Sequence, residues 1–364
     1  TLEEAKNLTA IGPWLRASAA FAARPEATAT QRLAHANALV HAHISAERDG
    51  EDDALRLGHL RCLANAAAAH PSDDLLRLDH ALGLYNRLHY ALARGDATQA
   101  AVALAGLREL ADAHPEDERV LWELVQGLEQ AHRVAASQPG DQAAALLEEL
   151  RRRAVAPAAT ERAREVLART LRKAHAVHGD AQDFAEAAPL LAELTTLATR
   201  PDATKGQRGT LAHAIADALW DVNEGGREED VSALVERARA LQNEADPSPA
   251  QRAAFGRVLM QAFLFAHRRE AHGQATTWLD ELRDRGGRDE VTAGEWDTLA
   301  RCLEIRAAHH IQKGELRSAE KLVAEMAALA LEERATPYQR RRRAVAGTDV
   351  HLALLRDDVR DGAK

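Results

Sequence analysis

Apolar residues recur along this chain in stripes that a helix places on one side. From residue 143 onward, Ala143, Ala187, Val231, Ala275 and Ala319 lie 44 residues apart. Four positions further on come Leu147, Leu191, Val235, Leu279 and Val323, and three beyond those Leu150, Leu194, Ala238, Leu282 and Met326. An i, i+4, i+7 set is one face of an amphipathic helix. A second helix precedes it in each period. There Leu167, Leu211, Phe255 and Leu299 each stand before a small residue (Ala168, Ala212, Gly256, Ala300), with Leu171, Ile215, Leu259 and Leu303 three positions later. Small residues in that column suit a close approach of two helices. Neither helix can bury its apolar face alone, so successive units must stack.

The polar positions punctuate this pattern. Stepping by 44 gives Thr28, Ser72, Glu116, Thr160, Thr204, Ser248, Thr292 and Thr336. Ser and Thr are residues whose hydroxyl accepts a backbone N–H at a helix start. Five of these have Gln or Glu three residues on, predicting capping boxes at Thr28/Gln31, Thr204/Gln207, Ser248/Gln251, Thr292/Glu295 and Thr336/Gln339. Inner turns are predicted at Gly50, Gly95, Gly140, Gly179, Gly225-Gly226, Gly273 and Gly314, where glycine supplies a positive φ. Prolines at 25, 71, 115, 157, 201, 247 and 337 separate one unit from the next. Units starting at Ser72 and Glu116 follow the apolar columns less closely than later ones.

The expected fold is all-α: a right-handed superhelical solenoid of about seven antiparallel helical hairpins with capping helices at both ends. Residues 1–27 form the N-terminal capping helices, 28–335 seven repeats, and 336–364 a C-terminal capping helix with a charged tail. The run Trp296-x-x-Leu299-Ala300-x-x-Leu303, followed by Gly314, Ala319, Val323 and Met326, resembles the tetratricopeptide (TPR) pattern. The resemblance covers residues 28–364 and implies hairpin stacking. It departs in length, with 44 residues per unit, and in the other units Arg164, Arg208, Arg252 or Arg340 stands where the motif has Trp296.

Composition narrows the picture. The chain is 46% hydrophobic but 4% aromatic, so its apolar content is mostly Ala and Leu, which favour helix over sheet. A net charge of −9 argues against general nucleic-acid affinity. Two cysteines, Cys62 and Cys302, cannot make a disulfide framework, and Cys62 is expected in the core. No apolar stretch approaches the roughly 20 residues of a membrane span, so a soluble, cytoplasmic protein is expected, and the resemblance to TPR-like arrays of bacterial effectors implies a bacterial one. The chain begins at Thr1 rather than methionine, as a trimmed chain or a piece of a larger protein would.

Catalytic chemistry is not expected. There is no His-Glu-x-x-His, Cys-x-x-Cys, Gly-x-Ser-x-Gly or phosphate-binding glycine loop, and no metal or cofactor is implied. His43, His89, His132, His175, His267 and His309, with Asn223 in the remaining unit, resemble a ladder. Their distances from their own caps differ, and at about 100° per residue they point to different sides of a helix. Packed or hydrogen-bonded histidines near turns are the expectation.

One charged column keeps its register. Nine residues past the cap stand Arg169, His213, Arg257 and Arg301, with Arg172 and Lys173 one turn further along the first of these helices. In TPR-like arrays the first helix of each hairpin lines the concave surface, so the resemblance implies a basic stripe there. Such a stripe could receive an acidic protein segment or a free carboxylate, or be a solvated face with ion pairs between repeats. A non-catalytic scaffold or adaptor is expected. The alternative is a regulatory or sensor array of a larger enzyme or effector, such as a bacterial protease or a defence or signalling complex.

Overall fold

The computed structural model describes residues 18, 22, 24, 27–50, 53–138, 140–156, 159–225, 231–243, 247–287, 291–331 and 336–361. The predicted N-terminal capping helices at 1–27 therefore lie outside the described residues, apart from Ser18, Ala22, Arg24 and Ala27. The described residues form fifteen α-helices and no strand. They divide into two compact units, Thr1–Thr170 and Leu171–Lys364.

The N-terminal unit holds α1 (Ala29–Asp49), α2 (Asp53–Ala69), α3 (Asp74–Arg94), α4 (Ala97–Ala113), α5 (Glu118–Ala135), α6 (Gln142–Ala154) and the first part of α7 (Glu161–Asp180). Odd-numbered helices are the first members of hairpins. α1 packs on α2 and on α3, α3 on α4 and α5, and α5 on α6. The C-terminal unit holds the rest of α7 with α8 (Phe184–Ala198), α9 (Lys205–Gly225), α10 (Val231–Gln242), α11 (Pro249–Arg268), α12 (His272–Gly286), α13 (Ala293–Gln312), α14 (Leu316–Leu331) and α15 (Pro337–Asp361). Its order repeats: α9 packs on α10 and α11, α11 on α12 and α13, and α13 on α14 and α15. Within each unit these contacts are consistent with a helical repeat.

The columns form the cores. Leu167, Leu211, Phe255, Leu299, Leu171, Ile215, Leu259 and Leu303 are all buried, as are Leu150, Leu194, Ala238, Leu282 and Met326. Small residues bring first helices together: a Cβ on Gly256 of α11 would meet Glu295 Cγ of α13 at 3.2 Å. The column fails in α15, where Ala344 is exposed and Ala346 and Val350 are buried instead.

All five predicted capping boxes form. In the C-terminal unit the residue that closes the box is also interior: Gln207, Gln251, Glu295 and Gln339 are all buried. Two members of the helix-start row are not caps. Asp73 and Asp117, one residue past Ser72 and Glu116, accept the first-turn N–H groups of α3 and α5. A carboxylate there also favours the positive end of the helix dipole.

Two of the predicted glycine turns also move. Gly50, Gly95 and Gly314 have φ near +70°, as expected. Gly179 instead lies inside α7 and Gly273 inside α12, and the left-handed residues are Gln182 and Glu270. Gly179 has a different use. A Cβ there would stand 2.3 Å from the carboxylate of Asp221, so the bare backbone is what admits α9. Cys62 is exposed rather than interior, between buried Leu60 and Leu63.

Candidate functional site

The charged column sits on first helices: Arg169 on α7, His213 on α9, Arg257 on α11 and Arg301 on α13. In the C-terminal unit the structure gathers part of it around one carboxylate that the sequence reading did not single out. Asp217, one turn after His213, accepts from Arg172 Nε at 2.9 Å and from Arg257 Nη2 at 3.0 Å. Arg257 Nη1 also lies 3.3 Å from His213 Nδ1. Burial, followed by the charges of Arg172 and Arg257 and opposed by Asp217, lowers the His213 pKa to about 4. His213 is thus neutral near pH 7 and adds no positive charge to the column. In the N-terminal unit, Arg169 Nη2 donates to Glu129 at 3.1 Å.

These pairs obey a rule. Glu129 and Asp217 each stand thirteen residues past the start of their unit, and each binds the arginine nine past the start of the next. Neighbouring first helices thus meet with a shift of four residues, roughly 6 Å along the axis. Arg87 and Glu47 meet with the same spacing of 40 residues. The corresponding positions in the units that start at Thr160 and Ser248 hold Lys173 and Gln261. Lys173, which is exposed, has replaced an acid by a base. Gln261 is neutral and is engaged with Asn223. Arg301 consequently faces no register carboxylate, and it has no hydrogen-bonding partner among the described residues. Within the C-terminal unit the column therefore carries Arg172, Lys173, Arg257 and Arg301 against Asp217. The side chains of Arg257 and Arg172 stay 43% and 35% exposed even when paired, which leaves them open to a ligand.

The same shift revises the histidine argument. Equal distance from the cap is not what brings neighbouring first helices together. His43, His132 and His175 are buried, and His89 faces Gln130. His267 and His309 do meet, with ring centroids 4.9 Å apart. Among the described residues no three His, Cys, Asp or Glu side chains form a metal-binding group. Cys302 is fully buried, and burial pushes its thiol pKa up, away from the reactive thiolate.

The remaining clusters of interest are a pocket and the arginine runs. A pocket of about 410 Å³ opens between α7, α8, α9 and α10, walled by Phe184, Ala187, Leu191 and Leu234, with His175 and Arg237 among its polar groups. Of the arginine runs, Arg153 pairs with Asp112 at 2.7 Å, and Arg342 binds Glu304 and lies over the Tyr338 ring. Both are internal ties.

Comparison with known proteins finds no matching family model, no matching curated protein and no matching solved structure. Among the described residues, no helix is long and apolar enough to cross a membrane.

Proposed function

We propose that this chain is a non-catalytic binding scaffold whose C-terminal unit holds an acidic segment of a partner protein on its first-helix surface. In this reading each unit stacks its hairpins in the manner of a TPR-like solenoid, and α7, α9, α11 and α13 supply the concave side. One observation carries it: at the position where Glu129 and Asp217 tie one hairpin to the next, two units hold Lys173 and Gln261, so Arg301 has no carboxylate in register. If the column served only to tie hairpins, acids would suit those two positions as they do at Glu129 and Asp217. Extended helical-repeat surfaces suit segments of protein, and surplus arginine suits carboxylates.

Fluorescence anisotropy with a labelled glutamate-rich peptide tests this. Lys173→Glu combined with Arg301→Glu should weaken binding at least about tenfold, because two cations are lost and two anions added. Neither substitution removes a member of the Asp217 pairs, and the melting transition of the variant checks that its fold is kept. Equal affinity for wild type and variant would remove the proposal.

A further inference from the structure

Beyond the column, a group of histidines with one arginine and one lysine lies where the turns after α11 and α13 come together. His267 and Arg306 come from α11 and α13, His272 opens α12, His309 lies near the end of α13, and Lys313 follows it. The His267 and His309 rings are 4.9 Å apart and those of His272 and His309 5.0 Å. Arg306 Nη1 stands 3.4 Å from His272 Nδ1, and Lys313 Nζ stands 3.4 Å from His272 Nε2.

This arrangement cannot satisfy itself. A neutral imidazole has one lone pair and one N–H. One of the two cations can therefore share the lone pair, and the other must face an N–H. Protonating His272 makes both contacts repulsive. Glu315 is the one carboxylate touching the group among the described residues, and it is bonded to the outlying His310. Partial burial, then Lys313, His272, Arg306 and His310, hold the His309 pKa below its ordinary value, although the Glu315 carboxylate also senses His309. The N-cap residue of α12, Ala271, also offers no side-chain acceptor, so the first-turn N–H groups add their dipole to the same corner.

We propose that His272, Arg306, His309 and Lys313 form a binding site for a phosphate-type oxyanion, either free phosphate or a phosphoryl group on a larger molecule. An oxyanion at this corner accepts from Arg306, Lys313 and the imidazole N–H at once, so each donor points at an acceptor. Net −9 on the whole chain does not oppose this, because the local field is set by groups within about 10 Å at physiological salt. The site is independent of the first-helix column and uses none of its residues.

Proton NMR of the histidine imidazoles tests the site, with His309 assigned by the signal missing in His309→Gln. Inorganic phosphate is compared with chloride at matched ionic strength, and a phosphoserine peptide with its unphosphorylated form. Binding should raise the His309 pKa by about one unit, a tenfold gain in proton affinity, and Arg306→Gln with Lys313→Gln should abolish the rise. Should the double variant not fold, Lys313→Gln alone at an exposed position should cut the phosphate affinity several-fold. A response to both phosphate and the phosphoserine peptide, or to the peptide alone, supports the site and identifies the source. A phosphate response that survives the substitutions, or no response beyond chloride with either probe, overturns it.

Discussion

In the N-terminal unit the fully buried Glu47 carboxylate receives Arg56, Arg87 and Arg94, with Asp53 and Gln99 completing the group around Arg87. In the C-terminal unit the interior helix-start positions hold the capping residues Gln207, Gln251, Glu295 and Gln339, and Glu295 also pairs with buried Arg285 at 2.6 Å. The same hairpin packing is thus held by a network of several arginines around one buried carboxylate in one unit, and in the other by regular capping boxes, one of which has the Arg285–Glu295 pair built into it. A buried network resists removal of any one member, because the remaining charge has lost its partner. Gln207, Gln251 and Gln339 are neutral, so at those positions no buried charge needs a partner.

The sharpest way to break the comparison is Glu47→Ala, which leaves fully buried Arg87 with a weakened set of acceptors. We expect a loss of about 3 kcal/mol, read from denaturant unfolding and from faster amide exchange in α1 and α3. A loss below about 1 kcal/mol would mean the network is not a structural tie.

Next is pH. Burial raises the Glu123 pKa from its ordinary 4.5 to about 7. A raised folded-state pKa contributes stability that is present below 4.5 and lost as pH rises to about 7. Glu123→Gln should therefore make the N-terminal unit more stable at pH 8 by roughly 2 kcal/mol. His43, lowered to about 4 mainly by burial, works the other way: its contribution is present above 6.5 and lost as pH falls towards 4. The variant should lose the Glu123 part of the fall in stability towards pH 7, while the acid limb of His43 and the fall that Asp79, raised to about 6 by burial, causes below that pH both remain. A pH profile identical to wild type would contradict the assignment.

Smaller effects belong to the C-terminal unit. Thr292→Ala removes one capping hydroxyl and should cost about 1 kcal/mol by thermal or denaturant unfolding. Arg257→Ala removes one exposed partner of Asp217 and should cost less than about 1 kcal/mol, since Arg172 remains. If Arg257→Ala cost more than Thr292→Ala, the column would be chiefly structural and the contrast between the units would fail.

The helices, their caps and the buried columns were legible because each is set within one period: Thr292 and Glu295, or Leu299 and Leu303, need no knowledge of a neighbour. What crosses from one hairpin to the next was not. The pairing of Asp217 with Arg257 depends on the four-residue shift between first helices, which a comparison at equal cap distance hides. His267 and His309 likewise meet at unequal distances from their caps, with a shift of two residues. Gly179 was read as a turn because glycine serves turns and close approaches alike, and choosing between them requires knowing that Asp221 of α9 lies against it. Asp73 and Asp117 were passed over because a strict step of 44 lands one residue before them.

The central claim is that the first-helix column of the C-terminal unit is a binding surface and not only a set of ties. Hydrogen–deuterium exchange of the full chain, with and without a saturating glutamate-rich peptide, tests it most directly. The account predicts added protection along the first helices α7, α9, α11 and α13 around Lys173, His213, Arg257 and Arg301. Protection confined to other helices, or none at a concentration that saturates anisotropy, would contradict it.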